Sequence, residues 1–184
     1  MKKSILVLCA VSLLSFTVAD NSLTKEERDV ALTTLKQTKK RVTNAVKGLS
    51  ESQLNFKPSP ESWSIAECVE HISISEENIF GMLQGTLNTE ADPSRRSEVA
   101  VEDKALMAMI ADRSTKVKTQ KPFEPTGKYG SHEATLKAFL QQRTSSIEYV
   151  KSTEDDLRNR YQQLPFGTID ALVPFESSLV KILD

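Results

Sequence analysis

The 184-residue chain has the composition of one globular domain, with 39% hydrophobic and 27% charged residues. Its 24 basic and 25 acidic side chains argue against a general nucleic-acid binder, because such proteins carry a strong excess of Lys and Arg. Six glycines, seven prolines and no internal repeat exclude a fibrous or repetitive protein.

Residues 1–19 have the pattern of a Sec signal peptide. Lys2 and Lys3 precede an apolar run from Ile5 to Ala19, and the small Ala19 suits the cleavage site. A membrane anchor is the alternative, but the run holds 15 residues and a spanning helix needs about 20. We therefore predict export to the periplasm or the extracellular space and a single mature domain, 20–184, without an integral membrane segment.

Cleavage removes Cys9 and leaves Cys68 as the one cysteine of the mature chain. An internal disulfide is then excluded, so burial of apolar side chains has to stabilise the domain. Because Cys68 falls in the apolar stripe of a predicted helix, we expect an inert buried thiol rather than a nucleophile.

Apolar residues spaced three or four apart predict four helices, over residues 24–48, 64–87, 99–116 and 131–152. Capping-box spacing marks the starts of the first two, with Thr24 three residues before Glu27 and Ser64 three residues before Glu67.

The segments between these helices are read as loops. Pro58 and Pro60 predict an extended connection after the first helix, and a loop covers residues 117–130. Thr153 and Asp156 resemble a further helix cap, and a turn is expected at residues 164–167. No run alternates with a period of two, so the predicted fold is an all-α, up-down four-helix bundle.

The first helix also carries a cluster of basic residues. This cluster could contact anionic lipid, and a solvated outer face is the alternative. Its members are Lys36, Lys39, Lys40, Arg41 and Lys47.

The sequence contains two histidines, which excludes a metal site made of three histidines from one chain. His71 lies one helical turn after Glu67 and one before Ser75. It could bind a divalent metal, with Glu67 orienting the imidazole without binding the metal itself or with Glu76 as an oxygen ligand. A hydrogen-bonded structural histidine is the alternative. His132 is expected to be exposed, and no motif predicts a catalytic residue.

Two stretches, LSESQLNFKP at residues 49–58 and WSIAECVEHI at residues 63–72, resemble the DinB-like superfamily. The later order of elements, including Arg143 and the PFGTID turn at residues 165–170, is also similar to exported members. The resemblance extends over residues 24–170.

The resemblance implies an up-down four-helix bundle. In many members it also implies a divalent metal such as Zn²⁺ or Ni²⁺, held by the second-helix histidine and an H-x-x-x-H pair on the last helix. His71 matches the first ligand, whereas residues 171–184 contain no histidine. We therefore expect a last helix that is short or incomplete, through truncation or a shifted reading frame.

Two functions follow from the resemblance. One is a metal-dependent thiol transferase or hydrolase-like enzyme in which His71 carries the metal. The other is a binding or structural module that takes a small apolar ligand or a partner in its inter-helix cleft. The unmatched histidine pair favours the module. The predicted partner is a small molecule rather than nucleic acid, and a homodimer stays open.

Overall fold

The computed structural model describes residues 22–99, 105, 108, 112, 114, 118–164 and 167–172. Three long helices and a β-hairpin form most of this part. In chain order the elements are α1 (Lys25–Val46), α2 (Glu51–Leu54), α3 (Ile65–Leu87), 3-10 helices at Pro93–Glu98 and Lys121–Phe123, α4 (His132–Ser152), β1 (Tyr161–Leu164) and β2 (Gly167–Asp170).

Both predicted capping boxes are present. The Thr24 hydroxyl accepts from the backbone N–H of Glu27, whose carboxylate accepts from the Thr24 N–H in return. Ser64 and Glu67 make the same reciprocal bonds at the start of α3. These bonds satisfy N–H groups that have no partner inside the helix, which explains why α1 and α3 begin where the sequence predicts.

The short helix α2 was not predicted. It begins with a third capping box, in which Ser50 and Gln53 exchange the same pair of bonds. Leu54 is buried with Val42 and Val46 of α1 and with Val69 of α3. The helix therefore folds the chain back over one end of the bundle before α3 begins.

Helix α4 packs against both α1 and α3. Two apolar clusters lie along it, one around Phe139 and one around Val150. Arg143 lies between these two positions on the buried face of α4. The interior is therefore divided into two apolar regions with a polar group between them.

A fully buried ion pair occupies this division. The Arg143 Nε and Nη2 atoms each donate to the Glu76 carboxylate at 2.7 Å, and the Arg143 side chain is 0% exposed. Its Nη1 donates to the Leu35 carbonyl at 3.2 Å and to the Thr38 hydroxyl, and the Ser146 hydroxyl also donates to Glu76. The pair thus joins α1, α3 and α4 through charge-assisted hydrogen bonds.

Helices α3 and α4 are adjacent and run parallel. The Ser73 hydroxyl donates to the Thr135 carbonyl, and the Phe80 and Tyr149 rings meet edge to face further along both helices. Two parallel neighbours need a connection that returns along the bundle, and residues 88–131 supply it. An up-down bundle makes the second and fourth predicted helices parallel, but the prediction did not say that these two would be adjacent.

A short β-hairpin that was not predicted accompanies the helices of the all-α fold. Strands β1 and β2 are antiparallel, with Tyr161 opposite Asp170 and Leu164 opposite Gly167. Four residues a strand are too few to show a period of two, so the pattern was not visible in the sequence. The turn expected at residues 164–167 falls partly outside the described residues, and its flanking residues Leu164 and Gly167 lie opposite each other in the hairpin.

The helix cap predicted at residues 153–156 is wrong. The Asp156 carboxylate instead accepts from the backbone N–H groups of Arg158 and Asn159 and closes a turn that leads into β1. Asx turns of this kind compete with helix starts because the same short side chain can make either bond.

Three other predictions fall wholly or partly outside the described residues. They are the signal peptide at residues 1–19, most of the helix at residues 99–116, and the incomplete last helix after residue 172. Within residues 99–116, Ala105 and Ala108 are helical, whereas Val99 forms an isolated bridge with Thr168. Among the described residues, no helix combines the length and the apolarity that a bilayer crossing requires.

Replacing one partner of the buried ion pair should destabilise the fold strongly. We expect Glu76→Ala to lower the free energy of unfolding by about 3 to 5 kcal/mol, because it leaves the Arg143 charge buried without its partner. The control is Glu77→Ala, which removes an exposed carboxylate paired with Lys128 and should cost within about 1 kcal/mol. Urea denaturation compares the two, and equal losses would contradict the assignment.

Candidate functional site around His71

His71 lies half-buried on α3 and is bound to the backbone of a loop. Its Nδ1 atom is 2.6 Å from the Phe123 carbonyl oxygen. Because a carbonyl oxygen only accepts hydrogen bonds, Nδ1 carries the proton in this contact. The Trp63 ring lies 5.0 Å from the imidazole, tilted by 45°, and is half-buried rather than fully enclosed. His71 therefore connects α3 to the 3-10 helix at Lys121–Phe123.

Glu67, which was predicted to orient the His71 ring without binding the metal itself, caps the start of α3. One carboxylate oxygen accepts from the Ser64 N–H at 2.7 Å, and the other is 2.7 Å from Lys57 Nζ. The Lys57 hydrogen bond, followed by that of Ser64, lowers the pKa of Glu67. The contact that orients the imidazole through Nδ1 comes from the Phe123 carbonyl. A metal role for Glu67 stays a prediction.

Glu76, the other carboxylate considered as a ligand, points into the interior. Both of its oxygens accept from Arg143, whereas His71 contacts Phe123 in the loop. Five residues along a helix correspond to a rotation of about 140°, so the two side chains leave α3 in different directions. The structure does not bring them together.

Other α3 side chains bind the same loop. The buried Glu70 carboxylate accepts from the backbone N–H groups of Thr126 at 3.2 Å and Lys128 at 2.6 Å. The Asn78 amide donates to the Pro122 carbonyl at 2.9 Å. Together with the His71 contact, these bonds satisfy backbone groups at four positions between residues 122 and 128. We call residues 118–130 the clamped loop.

Glu77 adds a contact to side chains of the clamped loop. Its Oε2 atom accepts from Lys128 Nζ at 2.6 Å and from the Tyr129 hydroxyl at 2.9 Å. These two hydrogen bonds, the Lys128 bond being the larger, lower the pKa of Glu77. The carboxylate therefore stays ionised over the whole neutral range.

A signal for this arrangement exists in the sequence and was missed. The polar pair Glu70-His71 recurs seven residues later as Glu77-Asn78. Residues seven apart lie two turns along the same side of a helix, so the two pairs mark one polar stripe beside the apolar face. A stripe of this kind predicts a polar partner packed along α3, which the clamped loop provides.

The described residues do not bring together the donors that a divalent ion needs. Within residues 22–99, 118–164 and 167–172, there is no group of three or more His, Cys, Asp or Glu side chains placed to hold a metal. A catalytic zinc site normally has three protein ligands. His71 contributes one nitrogen, and the carboxylates near it on α3 are engaged by protein donors. This donor set does not fit the metal that the family resemblance implies.

Two side chains differ from their predicted exposure. Cys68, expected to be buried, is exposed, because the neighbouring Val69 takes the inward position on α3. Partial desolvation, with a smaller effect of the Glu67 charge, raises the pKa of the Cys68 thiol and lowers its thiolate fraction. His132, expected to be exposed, is half-buried, and its Nδ1 is shielded from solvent without a hydrogen-bond partner in the described part of the chain.

With this geometry in place, comparison with known proteins gives the family. The family model of the DinB superfamily matches residues 34–178. The chain belongs to the DinB superfamily. A search of curated proteins found no match.

This DinB-superfamily chain is also similar to a solved structure, YfiT from Bacillus subtilis. YfiT is described as a probable metal-dependent hydrolase with an unusual four-helix bundle topology. The two share 17% sequence identity with a TM-score of 0.54, and the alignment covers 88% of this chain and 81% of YfiT. At this identity the likeness shows the fold alone. It confirms the predicted four-helix class.

Removing the Glu70 carboxylate should loosen the clamped loop. We expect Glu70→Ala to speed amide hydrogen exchange at Thr126 and Lys128 by roughly tenfold or more, because both N–H groups lose a charged acceptor. Exchange measured by NMR or mass spectrometry tests this. The exposed Glu61 provides the control, since Glu61→Ala should leave exchange in the loop unchanged. Equal protection in Glu70→Ala and wild type would show that the carboxylate does not hold the loop.

Proposed function

We propose that this chain is an exported DinB-superfamily binding or structural module in which His71 positions the clamped loop. One observation carries the proposal. The carboxylates of α3, both those near His71 and Glu76 in the interior, are already bonded to groups of the protein itself. Catalysis at a metal would require several of them to give up these bonds.

The carboxylates of α3 have different hydrogen-bond partners, but each of them is hydrogen-bonded within the protein. Each accepts at least one hydrogen bond of 2.7 Å or less from a charged side chain or a backbone N–H. Charge-assisted bonds of this length are among the stronger contacts in a protein, so recruiting a carboxylate to an ion would cost the energy of the bond it leaves. The four are Glu67, Glu70, Glu76 and Glu77.

The surroundings of the imidazole support a small apolar ligand. The half-buried Trp63 ring lies against the His71 ring, and Phe123, whose carbonyl contacts the imidazole, is also half-buried. Sites for small molecules combine apolar and aromatic surface with a few fixed polar groups, and the loop contact holds the imidazole in one orientation. We propose that a ligand of this class binds beside the ring, at the boundary between α3 and the clamped loop.

A metal-dependent hydrolase-like enzyme is the second candidate. A specific observation favours it: metal-ligating histidines usually donate their other ring N–H to a carbonyl or carboxylate, and Nδ1 of His71 donates in this way. The likeness to YfiT, itself a probable metal-dependent hydrolase, points in the same direction. In this chain His71 is the one nitrogen ligand offered by α3, so further ligands would have to come from outside the described residues.

Metal titration by calorimetry separates the two candidates. We expect the chain from residue 20 onward to show no stoichiometric, sub-micromolar binding of Zn²⁺ or Ni²⁺, because one imidazole does not make a stable site. His71→Ala and His132→Ala form a matched pair, since these are the two histidines of the sequence. Weak binding that changes equally in both variants agrees with the module. Tight binding in wild type and His132→Ala that is lost in His71→Ala would establish the enzyme candidate instead.

A further inference from the structure

One half of α1 is strongly basic. The sequence from Val30 to Ser50 contains five basic residues and no acidic residue. We call these five side chains the α1 basic face. They are Lys36, Lys39, Lys40, Arg41 and Lys47.

The centre of this face points away from the bundle. Lys36 and Lys40 are exposed one turn apart on the same side of the helix, and the exposed Lys47 is its C-cap residue. Leu35 and Val42 are buried and define the opposite side. From Lys36 to Val46 the helix rises by about 15 Å, and Lys47 follows directly, so the positive charge forms a strip rather than a point.

The acidic groups described near the strip are paired elsewhere. Lys39, at its edge, donates to the neutral Thr144 hydroxyl of α4 at 3.0 Å. Glu148 of α4 is paired with Lys151 at 3.7 Å, and Asp29 of α1 forms an ion pair near the start of the helix. Within the described part of the chain, the three central lysines form no ion pair.

The α1 basic face differs in the sign of its charge from the rest of the chain. Residues 20–184 contain 22 basic and 25 acidic side chains, and five of the basic ones belong to the α1 basic face. Without these five, residues 20–184 contain 17 basic and 25 acidic side chains, so the net charge of the remainder is strongly negative. A negatively charged partner is then attracted by this strip and repelled by the net charge of the remainder, which favours one orientation of the encounter.

An exposed aromatic side chain lies at the same end of the bundle. Phe56 is 67% exposed and follows α2, whose Leu54 packs with Val42 and Val46 in the second half of α1. Aromatic side chains at a protein surface beside basic residues are typical of contacts with the lipid–water interface.

We propose that the α1 basic face binds an anionic lipid surface. A strip of basic residues on one helix matches the negative potential of such a membrane, which extends over a Debye length and favours each lysine near the surface. The expected export of the chain also brings it next to a membrane rather than to nucleic acid. The proposal does not depend on the role of His71.

Vesicle sedimentation tests the proposal with the chain from residue 20 onward. We expect binding to vesicles of phosphatidylcholine with phosphatidylglycerol at low salt, and none to phosphatidylcholine alone. Binding should disappear at 1 M salt, where the Debye length falls to about 3 Å. Absence of binding to the anionic vesicles at low salt would overturn the proposal.

Charge-reversal variants locate the surface. The triple variant Lys36→Glu, Lys40→Glu and Lys47→Glu should reduce partitioning roughly 100-fold, from about one factor of five for each lysine removed. The control reverses three exposed lysines elsewhere, at positions 118, 121 and 151, and changes the net charge equally. It should keep most of the binding. An equal loss in both variants would show a general charge effect and contradict the proposed surface.

Two further measurements keep the result interpretable. Circular dichroism and thermal melting check that the variants fold. If the charge-reversal variant does not fold, a triple Lys→Gln variant at the same three positions replaces it. Duplex DNA provides the competing outcome. If wild type binds DNA at low salt more tightly than anionic vesicles, and the α1 variant loses that binding, the surface binds nucleic acid and the lipid proposal is wrong.

Discussion

The buried pair between Arg143 and Glu76 is the constraint on which the arrangement of the helices depends. A guanidinium without solvent has to find all of its partners in the protein, and Arg143 finds them on α1 and α3. Small rotations of either helix would break bonds to a buried charge. The pair therefore fixes the rotation of α3 about its own axis as well as its distance from α4.

That rotation decides what the rest of α3 can do. With Glu76 directed at Arg143, the stripe that contains Glu70, His71 and Asn78 is directed at the clamped loop. The loop carries backbone N–H and C=O groups that need partners when they are covered, and the stripe supplies both acceptors and donors. The family histidine thus takes part in a structural network, and this is the physical basis for favouring a module over a metalloenzyme.

How far the sequence predicts this structure depends on whether the signal is local. Caps and helix periodicity are local, and they located α1, α3 and α4 to within a few residues. Arg143 lies on the buried face of α4. Its partner Glu76 lies 67 residues away in sequence, and no pattern within one helix identifies a contact over that separation.

Short elements and exposure were predicted less well for related reasons. The strands of the hairpin and the single turn of α2 are shorter than the window over which periodicity is measured. Cys68 was assigned to the apolar face from its spacing, but a position at the edge of a stripe is covered only if a neighbouring element reaches it. For His71, the family motif identified the residue, and the structure was needed to identify its bonding partner.

The state of the His71 ring tests the structural role of this histidine most directly. Long-range ¹H–¹⁵N NMR distinguishes a protonated from an unprotonated ring nitrogen and reports metal coordination at either atom. We predict that Nδ1 is protonated, as donation to the Phe123 carbonyl requires, and that neither ring nitrogen resonance shifts when one equivalent of Zn²⁺ is added. An unprotonated Nδ1, or a stoichiometric shift of the Nε2 resonance with zinc, would contradict that role.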